Sequence, residues 1–568
     1  MPLERLRIEG FRGVRSLDLA LDATTALIGE NNAGKTSVLD ALSLALGTPG
    51  GAPPSLRRED FHVPPEPGAP PVPELSLSFS FREPEKGAWD EEPWLPLRAA
   101  ASASDLAGRR RLTVALTAAL PSPGALAEGR VTVLDAWDRP LAPAPSEPVV
   151  AAVRQRYPVL RLRPGQPSAG LAPRTRATDA PGQEPPTDTV ARLERLVGTA
   201  YRRIATTWRP LPGELHDALS VVRELAHRYE ERIAAGPAAE AGRTIASIAE
   251  TPSGLGAGSP LSPGPPGQGR GVQNVALLAA IGSFLEARGE SPLLPGAEPI
   301  VVIEDAEARL HPILLASVWR VIDRIPAQKV VTTNSGDLLA SVPLHSIRRL
   351  VRRPSGIEAH GVGAKALTVD EARRIAFHVR LNRASALFAR CWVLVEGETE
   401  AWLLPELAHV LRYDFPAEGI RCVEFAQCGA AALLRLAREL GIEWHLLADG
   451  DMAGRAYAAT ARAHLEGQDE RDRLTSLRAL DVEHLLFACG YASIYRRAAF
   501  GEGPAPSPAA RSRERPTRVI RQALQRHAKP RMVLEVAEAA AAPGSPGVPR
   551  VLASLIETAV RLARSAGS

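Results

Sequence analysis

The sequence predicts an α/β protein whose chemistry sits at the ends of short, buried parallel strands. An apolar stretch at Thr25–Ile28 runs into a glycine-rich turn and then a helical pattern. A second, Ile300-Val301-Val302-Ile303, ends at two acids, and a third, Cys391-Trp392-Val393-Leu394-Val395, ends at Glu396. Short unbroken apolar runs are the mark of strands covered on both faces. Polar groups at their carboxyl ends stand where open parallel sheets gather ligands.

The length, 568 residues, suggests about three to four compact units. Apolar residues at 45 % and charged residues at 23 % exclude disordered, collagen-like and fibrous classes. No run approaches the roughly 20 apolar residues of a membrane helix, and Met1–Arg5 leads into an alternating strand pattern rather than a signal peptide. A soluble cytoplasmic protein with no membrane partner is expected. The four cysteines (Cys391, Cys422, Cys428, Cys489) form no CxxC pair and are expected as reduced, buried thiols. A net charge of +4 on so long a chain does not by itself indicate nucleic acid. Only five of the 68 basic residues are lysine, and two of these, Lys35 and Lys529, fall inside motifs.

In chain order, Leu6 and Ile8 and then Leu17, Leu19 and Leu21 alternate as strand, turn, strand. Residues 75–82 alternate cleanly, as do parts of 111–134, so an antiparallel sheet is expected beside the parallel one. Stretches at 50–73, 140–148 and 164–187 read as loops. From 188 to 235, stripes at Leu193, Leu196, Val197, Tyr201, Ile204 and at Leu215, Leu219, Val222, Leu225, Tyr229 flank a break at Pro210–Gly213. They predict an inserted helical hairpin, its apolar face either core or a dimerisation surface. After a Gly/Pro/Ser-rich stretch at 252–269, a helix (Val272 to Ala287) and a strand (Pro299 to Ile303) follow, and a second αβ region starts near 388. The expected segments are 1–165 and 241–370 for one domain, 166–240 for the helical insertion, and 385–568 for the second domain.

Gly29-Glu30-Asn31-Asn32-Ala33-Gly34-Lys35-Thr36 satisfies GxxxxGK[ST] between a strand and the helix Ser37–Leu46. Glycines let backbone N–H groups, including those around Asn32 and Ser37, converge on phosphates at a helix N-terminus. Lys35 reaches the terminal phosphates and the Thr36 hydroxyl ligates magnesium. Glu304 and Asp305 can position that magnesium and polarise the attacking water. ATP with one Mg²⁺ is therefore the expected ligand here.

Leu310-His311-Pro312 after the acids, and Val330-Val331-Thr332-Thr333-Asn334-Ser335 after another strand, resemble the ABC-type ATPases of the RecF/SMC-like group. The resemblance implies nucleotide contacts for Asn334 and for Gly269 in Gly267–Asn274, a stretch that otherwise reads as a linker. Asp60 is either the switch-loop residue that senses the metal or a loop acid in solvent. Asp305 stands where a glutamate is usual, Ala306 for a proline, and Asn334 for a histidine. Slow turnover is expected, since asparagine cannot carry a proton as imidazole does.

A second acidic constellation begins with Glu396, Glu398 and Glu400 before an apolar helix, Ala401 to Leu411. After a helix at 430–440, the strand Trp444–Ala448 runs into Asp449-Gly450-Asp451, and Asp481-Val482-Glu483 follows. Glu400 lies one helical turn from Glu396 and can point at the same space, and a glycine between two aspartates lets both reach one cation. Crowded carboxylates repel unless cations lie among them, so Mg²⁺ or Mn²⁺ is expected. Glu398 reads as a solvated acid, and Asp481 as a ligand or a helix cap.

Strand-Glu, strand-DxD and a later acid resemble the Toprim fold. An ABC-type ATPase with a helical insertion, followed by a C-terminal Toprim domain, resembles the OLD (overcoming lysogenization defect) family across nearly the whole chain. The resemblance implies a homodimeric, ATP-binding, two-metal DNA endonuclease. It assigns the metals to Glu396, Glu400, Asp449, Asp451 and Asp481 or Glu483, and makes Lys529 a catalytic support. From Tyr491 to Arg531 ten basic residues stand against two acids, a candidate DNA-phosphate strip. The alternative is a RecF/SMC-like DNA-repair clamp with a non-catalytic Toprim module.

Overall fold

The computed structural model describes residues 2–46, 54–162 apart from 65, 67, 106, 136 and 142–145, then 297–307, 319, 323, 327–363, 366–377, 379, 383–501 and 515–566. The predicted insertion at 166–240, the helix at 272–287, Gly269 with its loop, and Leu310-His311-Pro312 lie outside the described residues. The chain divides into two compact units, Met1–Ala359 and His360–Ser568.

In the first unit, the alternation of Leu3, Leu6, Ile8 and Phe11 builds a hairpin whose strands, Leu3–Phe11 and Val14–Ala20, pair with Ile8 opposite Leu17 and Phe11 opposite Val14. Glu74–Arg82, Arg110–Ala119 and Arg130–Leu134 extend it as an antiparallel sheet. Every second residue faces inward, so Leu6, Ile8, Leu77, Phe79 and Phe81 form one buried layer. A second sheet runs in the order Val159–Leu162, Ile300–Ile303, Gln328–Thr332, Thr24–Gly29, Ile347–Arg353, Gly356–Gly361, its first five strands parallel. Gln328 ties the two sheets. Its amide nitrogen donates to the Leu3 carbonyl at 2.6 Å, and its amide oxygen accepts the Leu3 N–H at 3.0 Å.

The second unit holds a parallel sheet in the order Ile420–Glu424, Cys391–Val395, Glu443–Ala448, Leu474–Ser476. The chain leaves the Cys391–Val395 strand to one side and returns on its other side. The direction of winding therefore reverses between Cys391–Val395 and Glu443–Ala448, which opens a crevice at their carboxyl ends. The helix Arg550–Ala566 buries Leu552, Leu555, Ile556, Ala559, Val560 and Ala563, a 3.6-residue stripe that seals the sheet's core. Trp392 is fully buried, its indole N–H donating to the Ala386 carbonyl at 2.8 Å. All four cysteines are free, but Cys489 is only half-buried, a correction to the expected burial of all four. Its segment, Phe487–Tyr491, breaks at Gly490 and leaves the chain at the unit's surface.

Candidate active sites

The phosphate loop leaves the central strand Thr24–Gly29 and enters the helix Lys35–Leu46. Gly34 has φ +86°, and a Cβ there would come within 2.6 Å of Ile357, so no other residue makes this turn without strain. Lys35 is folded over the loop and donates to the carbonyls of Gly29 at 2.5 Å and Glu30 at 3.0 Å. Burial lowers its pKa, opposed by the nearby charges of Asp305, Glu307 and Glu30. Thr36 Oγ1 donates to Glu304 Oε1 at 3.1 Å, bringing the loop hydroxyl and the strand-end carboxylate together. Asn32 offers its carbonyl to Arg352 at 2.6 Å. Ser37 sits half-buried in the helix's first turn.

Asp305 takes a left-handed backbone, φ +46°, a conformation aspartate tolerates better than most residues. The twist is held by its N–H donating to Thr332 Oγ1 at 2.9 Å. Asn334 is exposed, and its backbone N–H donates to Glu307 Oε1 at 2.7 Å, while Thr333 donates to the other oxygen at 2.7 Å. Glu307 thus couples the acid loop to the Thr-Thr-Asn turn. Only its place two residues after Asp305 could have drawn attention to it. Asp60 is neither solvated nor turned toward the phosphate loop by any contact among the described residues. It is buried, accepting from Arg12 Nε at 3.0 Å and from the Arg57 N–H at 2.9 Å. Of the two readings of Asp60, the acid in solvent is corrected, because its carboxylate is buried in an ion pair and a turn.

In the second unit, the acids of three distant loops face one crevice. Glu396 ends the Cys391–Val395 strand, and its Oε2 is buried without a hydrogen-bond partner. Burial raises its pKa, Asp451 adds to the rise, and Lys529 opposes it. Glu400, in the first turn of the helix Glu398–Val410, accepts the Gly397 N–H at 3.1 Å. Burial and then the charge of Glu483 hold it at about 7. Asp449, just past Glu443–Ala448, is pushed up to about 8, first by burial and then by Glu400, Glu396, Asp481 and Glu483. Those four acids must therefore lie close enough to act on it.

Asp451 caps the helix Met452–Ala463, accepting the Gly454 N–H at 2.7 Å. Asp481 caps the helix Val482–Leu486 through the His484 N–H at 2.8 Å, and also lies 2.6 Å from His484 Nδ1. The cap reading of Asp481 holds, and its charge also acts on Asp449. Glu483 is buried, 3.5 Å from Lys529 Nζ and 3.4 Å from Thr399 Oγ1. Glu398 points to solvent. His484 and Thr399 were not singled out, although each is adjacent in sequence to an acid that was. Among the described residues no three such side chains close into a ready-made metal cage. That accords with carboxylates that repel one another when nothing lies between them.

Beside this pocket, the helix Pro516–Arg526 buries Val519, Ile520 and Ala523 and turns Arg518 and Arg521 outward. With Arg515 and Arg526 they are exposed and form no ion pair among the described residues. Arg497 and Arg531, by contrast, share Glu535. Thr517, at the helix's start, lies 3.0 Å from His484 Nε2, which brings the basic face alongside Asp481.

Two family models match the chain: "Protein of unknown function (DUF2813)" over residues 1–386, and the Toprim domain of proteins like the overcoming lysogenization defect protein over 387–451. Uncharacterized protein YbjD of Escherichia coli K12 is 35% identical over 570 residues, 99% of each chain. The OLD nuclease of Thermus scotoductus is 47% identical over 45 residues, 8% of each chain. Among solved structures, the C-terminal region of the Burkholderia pseudomallei OLD protein is 19% identical and covers 31% of this chain and 99% of its own, with a TM-score of 0.25. The SMC head domain from Thermotoga maritima is 12% identical and covers 64% and 100%, with a TM-score of 0.31. No helix among the described residues is long and apolar enough to cross a membrane. With the first model spanning most of the chain, the chain belongs to the DUF2813 family, and from residue 387 it carries a segment that matches the OLD-like Toprim domain.

Proposed function

We propose that the protein is an ATP-binding, divalent-metal-dependent DNA endonuclease, with nucleotide held in the first unit and phosphodiesters cut in the second. The observation that carries this reading is the crowding around Asp449. Burial and then four other carboxylates raise its pKa, and Glu396 presents a buried oxygen with no partner among the described residues. A pocket of this kind is costly to fold without cations, since each buried acid must be neutralised or paired.

The donor set suits the ions expected. The acids gathered there offer carboxylate oxygens, hard donors that favour Mg²⁺ or Mn²⁺ over softer metals. Glu396, Glu400, Asp449, Asp451, Asp481 and Glu483 would hold two of them. Such a pair activates water and offsets charge on the leaving oxygen. The protein's own side chains do the rest. Lys529, beside Glu483 and half-exposed, supplies a positive charge where a phosphate oxygen would gain negative charge. The outward arginines of Pro516–Arg526 hold the DNA backbone against the pocket. In the first unit, Lys35 would exchange its loop carbonyls for nucleotide phosphates, Thr36 and Glu304 would hold one Mg²⁺, and Asp305 would orient water. Asp305 and Asn334 support slow hydrolysis. A homodimer is the assembly this reading expects.

Plasmid nicking in Mg²⁺ or Mn²⁺, wild type against Asp449→Ala, tests the nuclease. Cleavage that is absent, or equal in both, favours a DNA clamp with a non-catalytic Toprim module. Phosphate release by wild type against Lys35→Ala tests the ATPase in the same preparations, and equal rates reduce the first unit to nucleotide binding alone.

A further inference from the structure

Arg161 lies on Val159–Leu162, paired in register with Val302 on the strand that ends at Glu304. Its side chain is 8 % exposed. One arm of the guanidinium reaches Asp40, on the helix that follows the phosphate loop, and the other donates to Glu304 Oε2 at 2.9 Å. Glu304's second oxygen takes the Thr36 hydroxyl. Asp40 is shared with Arg12, and Arg12 continues to Asp60. The carboxylate at the head of the acid loop is thus gripped on both oxygens, at the end of an unbroken chain of ion pairs.

Arg161 Nε is buried with no partner, so this arginine is not placed for the best hydrogen bonding of its own. Burying an arginine between two acids is a poor way to gain stability, because apolar replacements usually do as well. It is a good way to fix direction: a planar fork can bridge two carboxylates at set angles, and an ammonium cannot. We propose that Arg161 is a positioning residue of the nucleotide site, fixing Glu304 so that its other oxygen faces Thr36 and so setting the affinity for the divalent cation bound with nucleotide. This rests on the nucleotide-binding reading of the phosphate loop.

The test follows binding of a fluorescent ATP analogue to the full chain by anisotropy, with Mg²⁺ titrated and also with Mg²⁺ removed by chelator. Partners that orient metal ligands are worth about ten- to a hundredfold in metal affinity. Arg161→Met and Arg161→Lys should each raise the Mg²⁺ concentration at half-saturation by about tenfold, leaving nucleotide affinity without Mg²⁺ unchanged. Arg161→Lys keeps the buried charge, so it reports on the bridge even if the methionine variant does not fold. An unchanged Mg²⁺ requirement in Arg161→Lys overturns the proposal. So does an equal loss of affinity with and without Mg²⁺, which marks a purely structural arginine. Failure of the underlying reading looks different: wild type would not bind the analogue, or Lys35→Ala would bind it equally well.

Discussion

Gly450 donates its backbone N–H to the carbonyl of Ala479 at 3.1 Å, and this bond lays the Asp449–Asp451 turn against the loop that ends in Asp481. A Cβ on residue 450 would fall 2.2 Å from the Ala479 carbonyl oxygen and 2.9 Å from that of Leu477. Both obstacles are backbone, so relief must come from moving the acid turn. Gly450→Ala is expected to lower metal-dependent nicking by more than about tenfold and stability by about 1–3 kcal/mol, the usual range for overpacking. Nicking rates and thermal melts on the same preparation check this. Wild-type cleavage in the variant would mean the turn has room to adjust.

Burial and then four neighbouring carboxylates push Asp449 up to about 8. Near neutral pH the metal-free fold must therefore take up a proton that the unfolded chain does not hold, and an uncharged amide removes that cost. Asp449→Asn is expected to raise the metal-free melting temperature of the second unit by about 2–4 °C, the equivalent of about 1 kcal/mol in a unit the size of His360–Ser568. It should also abolish the further rise that Mg²⁺ or Mn²⁺ gives wild type. Scanning calorimetry with and without metal distinguishes this from a variant that is merely damaged, which would melt lower in both conditions.

His445 is buried, and burial favours its neutral form over the opposing pull of Asp472. Nδ1 lies 2.9 Å from the Asp472 carbonyl and must donate, so Nε2, 2.8 Å from Thr475 Oγ1, accepts. Burial holds its pKa down at about 4, whereas the unfolded chain titrates near 6.5. As pH falls, the unfolded state takes up the proton first. The contribution is therefore complete above about pH 6.5 and is lost between about 6.5 and 4, up to roughly 3 kcal/mol. Denaturant melts of wild type and His445→Asn across that window should show a shallower pH dependence in the variant. Parallel curves would contradict it.

The exposed arginines of Pro516–Arg526 should act through phosphates rather than bases. Replacing Arg518 and Arg521 with alanine is expected to weaken duplex binding equally for unrelated sequences and to flatten the slope of log affinity against log salt by about two. Anisotropy titrations at several salt concentrations measure both. An unchanged slope would place the DNA elsewhere.

Much of the scaffold was legible because short apolar runs leave few choices. Ile300–Ile303 and Cys391–Val395 are the strands expected, since four or five consecutive apolar residues can be satisfied only where both faces are covered. The acids at their ends were legible for the same reason, as was the glycine of the DxD turn. Arg161 was not. In an arginine-rich chain one more basic residue on a strand carries no local signal, and its partners, Asp40 and Glu304, are 121 and 143 residues away. The burial of Asp60 was hidden on similar grounds: its environment depends on Arg12, 48 residues distant, which no spacing rule connects to it.

By itself the sequence determined which strands would be buried and which residue types would stand at their tips, because periodicity and loop chemistry are local and survive in one dimension. Only the tertiary structure decided which tips share a crevice and what charge each feels. Charge interactions depend on separation and burial, and neither exists until the sheet order brings Glu396, Asp449 and Glu483 to the same end of one sheet.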